Sequence, residues 1–158
     1  MDFRCICRSM SGLDDLKMYR NKDVDILART IYGEARGEPE IGKCAVASVV
    51  LNRYKAHKWF SGKTIADTCQ FCVKGSKYHQ FSCWNEDDPN FRLITQISES
   101  DKIFCKCIDV AEKYISGTYK DIVNGACHYC VVGTNPAWAK GKRPDLRIGR
   151  HLFYCEVE

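Results

Sequence analysis

Residues 27–39, LARTIYGEARGEP, and residues 42–53, GKCAVASVVLNR, decide the fold. In the first stretch Leu27, Ala28, Ile31 and Ala35 continue from Val24 at the three- and four-residue spacing of an amphipathic helix. Asp23 or Asp25 is placed to cap its start, and Gly37 and Pro39 end it. Residues 41–51 are apolar almost all the way round, through Cys44, Ala45, Val46, Ala47, Val49, Val50 and Leu51. That pattern marks a helix buried on most sides, the expected centre of the core.

Working outward, residues 59–91 break into Gly, Ser, Asn, Asp and Pro with interspersed aromatics, the composition of a long structured loop or short hairpin. Long ordered loops in compact domains usually carry function. A third helix is predicted over residues 100–116, with Ile103, Phe104, Cys107, Ile108, Val110, Ala111, Tyr114 and Ile115 inward and Gly117 as its stop. Residues 122–157 read as short extended pieces separated by Gly125, Gly133, Pro136, Gly141, Pro144 and Gly149. Residues 1–22 carry little pattern and are expected to form an arm, or a short first helix over residues 13–19, ahead of a domain at 23–158. The fold class is α+β and mainly helical, a helical core with a small strand-and-loop lobe.

A chain of 158 residues is long enough for one core and too short for two ordinary domains. Hydrophobic residues at 45% and charged residues at 28% argue against both disorder and a membrane protein. The net charge of +4 is spread along the chain, with no dense basic run beyond residues 140–143, so nucleic acid is not an expected partner. No stretch approaches the length of a spanning helix, and a monomer is expected. The 11 cysteines are odd in number and do not repeat like a secreted disulfide scaffold. Residues 1–10 hold arginines, cysteines and an aspartate where a secretion signal would need an apolar run. Synthesis in the cytoplasm, with reduced thiols, is the expectation.

Glu34 continues the stripe of Leu27 and Ile31, so its carboxylate is expected against a partly apolar wall, surroundings in which carboxyl groups serve as general acids. A solvated glutamate near a helix end is the plain alternative. Gly33 removes bulk beside it, which would let a substrate approach. Glycosidases usually need two carboxylates. Glu38 would share the face of Glu34 if the helix persisted, but Gly37 and Pro39 oppose that; Asp87 and Asp88 read as turn formers.

The two opening blocks resemble the core of SleB-type cell-wall hydrolases, a family that includes spore cortex-lytic enzymes. The resemblance continues in order through QFSCWN (80–85), GACHYC (125–130), NPAWAKG (135–141) and IGRHLFY (148–154). It implies a lysozyme-like helical fold and cleavage of the β-1,4 bond between N-acetylmuramic acid and N-acetylglucosamine in peptidoglycan strands of the cell wall or periplasm. It also implies a lytic transglycosylase scheme in which one glutamate is both acid and base, with no cofactor and no metal. The glutamate of the family's GEA motif falls on Glu34. Cys130 stands where the family is expected to have a histidine, which leaves that position's role in doubt.

Within the matched blocks, Phe81, Trp84, Tyr129 and Trp138 are candidates to stack on sugar faces, or else core aromatics. Ser82 and Asn85, with Asn135, are candidates to hydrogen-bond acetamido or hydroxyl groups, and His128 or His151 to orient the substrate or support Glu34. The CxxC pairs Cys69/Cys72 and Cys127/Cys130 have zinc-compatible spacing, yet the stretch between them is far longer than a zinc ribbon uses; buried thiols are the simpler reading. Two rivals remain: a cysteine peptidase of the wall using Cys83 or Cys127 with His128 or His151, and a non-catalytic wall-binding module.

Overall fold

Helix α1, Gly12–Ala35, packs against all four other helices. The computed structural model describes residues 12–157, with side chains from residue 22 onward; residues 1–11 of the expected arm lie outside that span. The short helix expected over residues 13–19 and the helix expected from Asp23 are one element, so no break in secondary structure falls at residue 22. Neither aspartate caps it. Asp23 accepts the backbone N–H of Ala66 at 2.8 Å, and Asp25 pairs with Arg29 at 2.9 Å. Arg29 also donates to the carbonyls of Ile94 and Ile97, at 2.6 and 3.2 Å, pinning the following chain to α1.

Helix α2, Glu40–Ala56, is buried continuously from Gly42 to Leu51, as its all-round apolar sequence requires; only Ile41 in that run points outward. Buried Lys43 reaches back with its ammonium to the carbonyls of Arg36 and Glu38, satisfying backbone oxygens at the end of α1. Residues 59–91 contain a short helix α3, Ile65–Cys69, capped by Thr64, and a 3-10 turn at Ser82–Trp84. Helix α4, Phe91–Gln96, follows, and sequence reading missed it because Ile94 is its one buried residue. Helix α5, Lys102–Ile115, is capped by Asp101, which accepts from Ile103 and Phe104. It buries Phe104, Cys107, Val110, Ala111 and Tyr114, while Ile103 faces solvent against expectation.

The predicted extended pieces form one antiparallel sheet ordered β1-β3-β2, from β1, His128–Val131, β2, Leu146–Ile148, and β3, His151–Tyr154. Tyr129 pairs with Phe153 and Val131 with His151, so these four side chains share one face. That face packs on Ala45 and Val49 of α2. His128, Cys130, Leu152 and Tyr154 take the other face, where Trp138 covers Cys130, Leu152 and Tyr154.

Candidate active site

Glu34 stands in the last turn of α1. Leu27 and Ile31 are fully buried below it, and the stripe they begin leaves the core at the half-buried Glu34. From β1 the hydroxyl of Tyr129 donates to Glu34 Oε2 at 2.6 Å. Burial and the charge of Glu34 keep the Tyr129 hydroxyl protonated far above the usual tyrosine range, so it remains a donor. Its ring is backed by Phe81, Phe153 and the edge of His151, at centroid distances of 6.5, 5.7 and 5.1 Å. Glu34 opens into a cleft of about 330 Å³ whose walls include Glu38, Asn90, Val131, Arg150 and His151.

Behind this pair lies Arg53, buried, with its guanidinium 4.8 Å from the Phe81 ring centre and its Nε donating to the Cys127 carbonyl at 2.6 Å. One terminal nitrogen has no partner. Burial pushes its guanidinium down, offset by Tyr129, Cys127 and Glu34. Arg53 and Asn52, which donates to the Ala126 carbonyl at 3.1 Å, tie the start of β1 to α2.

Gly33 lines the cleft beside Glu34 and also has a packing role. A Cβ there would lie 2.7 Å from Cys83 Cβ and 3.1 Å from Ile94 Cγ2, so the missing side chain lets the 3-10 turn and α4 close onto α1. Phe81 and Trp84 take the core reading of the two. Both are buried, and the Trp84 indole N–H donates to Thr30 at 3.0 Å, leaving no open ring face for a sugar. Asn85 closes a loop, accepting the backbone N–H of His79 at 2.7 Å, while Ser82 is exposed. His128 lies on the opposite face of β1 from Tyr129, against Phe60 and Trp138 at 5.6 and 5.3 Å, and Trp138 also stacks on Tyr154 at 5.2 Å. Of the candidate residues, then, Tyr129, His151 and Glu38 join Glu34 at the cleft. Arg150 and Asn90 escaped sequence reading, although Arg150 stands in the IGRHLFY block.

Neither thiol of the peptidase reading has the lowered value of an activated nucleophile. Burial, reinforced by Glu34, pushes the Cys83 thiol strongly up, and burial raises Cys127, whereas a nucleophilic cysteine needs a lowered value. The nine described cysteines are free, and no group of three metal-ligating side chains gathers among the described residues. Cys69 is in the core, and Cys72 Sγ lies 2.9 and 3.1 Å from the carbonyls of Ser76 and Tyr78.

The sequence profile of the cell wall hydrolase family matches residues 37–154, which takes in α2, the sheet and everything between them. The chain belongs to the cell wall hydrolase family. The matched span begins just past Glu34. This cell wall hydrolase domain is 54% identical over 138 residues to a spore cortex-lytic enzyme of Halalkalibacterium halodurans, covering 85% of the chain and 35% of that protein. It is also 54% identical over 35 residues to a spore cortex-lytic enzyme of Bacillus subtilis, covering 22% of the chain and 12% of that protein. The chain thus spans about a third or less of the length of these relatives. Its α+β fold matches the crystal structure of the catalytic domain of the Bacillus cereus SleB protein, with a TM-score of 0.59 and 22% identity over 84% of this chain and 89% of that one. No described helix is long and apolar enough to cross a membrane.

Proposed function

We propose that this domain cleaves the β-1,4 bond between N-acetylmuramic acid and N-acetylglucosamine in peptidoglycan, as a lytic transglycosylase with Glu34 as acid and base. The observation that carries the reading is the Glu34 carboxylate, held by the buried Tyr129 hydroxyl at 2.6 Å and open to a cleft. Family membership and the names of the relatives support the substrate class. In the first step protonated Glu34 gives its proton to the glycosidic oxygen as the bond from muramic C1 to that oxygen breaks, and the electron pair leaves with N-acetylglucosamine. In the second, the muramic 6-hydroxyl oxygen attacks C1 and its proton passes to the Glu34 carboxylate, which restores the acid and closes a 1,6-anhydro ring. Tyr129 acts as a positioning residue, keeping one carboxylate oxygen occupied and leaving the other for proton transfer. The glycan of the wall is the partner in this reading.

The test is digestion of purified peptidoglycan by the wild type and Glu34→Gln, with mass spectrometry of the products. Anhydro-ended fragments from the wild type, and a loss of at least about a thousandfold in the variant, are expected. Reducing ends would replace transglycosylation by hydrolysis. Undiminished release by the variant would sink the role of Glu34. Binding without release by the wild type would make the domain a wall-binding module.

A further inference from the structure

The turn between α1 and α2 carries a carboxylate that the single-glutamate scheme leaves unused. Because α1 ends at Ala35, Glu38 does not share a helical face with Glu34, yet the turn brings it back to line the same cleft. One glycine four residues on and another in the β2–β3 link lie against it. A Cβ on Gly42 would lie 2.6 Å from Glu38 Cβ, and a Cβ on Gly149 would lie 2.5 Å from Glu38 Oε2. A Cβ that close to another Cβ does not occur between real atoms, so Gly42 leaves room for the stem of Glu38; Gly149, at a φ of 56° in the tight link between β2 and β3, lies beside the free end of the carboxylate.

The backbone of Glu38 is held: its N–H donates to the Ala35 carbonyl at 3.0 Å and its own carbonyl accepts the buried Lys43 ammonium. The ion pairs among the described residues are Arg29–Asp25 and Lys113–Asp109, and Glu38 is in neither. Beside it the buried His151 lines the cleft with an Nδ1 that has no partner. The cleft's other charged side chains are accounted for differently, Arg36 donating to Asn90 at 2.7 Å and Arg150 being exposed.

We propose that Glu38 is a second catalytic residue, an anion lining the cleft that stabilises the positive charge developing at muramic C1 while Glu34 carries the protons. The proposal rests on the glycan-cleaving reading of Glu34. Glycoside cleavage passes through an oxocarbenium-like transition state, and a carboxylate already lining the cleft lowers its energy. The negative charge is the requirement here; Glu38 makes no bond and transfers no proton.

Peptidoglycan digestion rates for Glu38→Gln, Glu38→Asp and Glu38→Ala, the last with and without added formate, test it. Glu38→Gln is expected to lower kcat about a hundredfold with apparent KM within about twofold, and its products should stay anhydro-ended. Glu38→Asp should retain more activity than Glu38→Gln, and formate should restore part of the rate to Glu38→Ala, a response that a structural role does not give. Wild-type kcat in Glu38→Gln, or no effect of formate, overturns the proposal. Full release by Glu34→Gln overturns the reading beneath it, and that outcome is read in a separate variant.

Discussion

Tyr129 and Glu34 are 95 residues apart in the chain and joined by a 2.6 Å hydrogen bond. The bond connects the sheet to the end of α1, so the aim of the carboxylate depends on the lobe being docked on the helices. Arg53 and Asn52 fasten that docking from α2.

Tyr129→Phe keeps the ring among Phe81, His151 and Phe153 and removes only the hydroxyl. Activity on purified peptidoglycan should fall about tenfold, and urea denaturation should show a loss of about 1 kcal/mol. A variant as active as the wild type would mean that Glu34 is oriented without Tyr129.

Gly33→Ala sets two effects against each other. Alanine favours a helix over glycine by about 1 kcal/mol, whereas overpacking against Cys83 and Ile94 costs about 1–3 kcal/mol. The contact is backed by buried atoms on both sides, so net destabilisation is expected in urea denaturation. A stabilised variant would show that the 3-10 turn yields easily.

Trp84→Phe separates a core role from a groove role. Loss of the indole N–H leaves Thr30 Oγ1 buried without its donor, and stability should drop by about 1–3 kcal/mol with apparent KM unchanged. A raised KM with unchanged stability would return Trp84 to the sugar-binding surface.

His128 gives a pH signature. Burial, with smaller contributions from Arg53 and Lys58, pushes its imidazole down to about 4, against an ordinary value near 6.5. The folded state therefore resists a proton that the unfolded chain accepts, and stability is lost as pH falls from about 6.5 towards 4. Burial pushes His151 in the same direction, with Glu38 and Glu34 opposing. The thermal midpoint should fall between pH 7 and pH 4, and less steeply in His128→Gln; equal slopes would remove His128 as a cause.

Much of the helical framework was legible because α1, α2 and α5 bury long, regular stripes that a single sequence displays. Helix α4 was not, since one buried residue in six makes no period. Which of their two readings the aromatics at 81 and 84 take was not legible for a related reason: in an irregular segment nothing in the sequence says which way a ring turns. On β1, adjacent His128 and Tyr129 look equivalent as text, and strand alternation sends them to opposite faces.

By itself the sequence determined the main helices and the presence of a small strand lobe, because helical periodicity and turn signals are local properties, and the family motif pointed to Glu34 as the candidate carboxylate. The tertiary structure alone decided that Tyr129 holds Glu34, that Gly33 seats Cys83 and that Glu38 meets the β2–β3 link at Gly149. Those contacts join residues far apart in the chain, and they exist only once the sheet register and the docking of β1 on α2 have set which side chains meet.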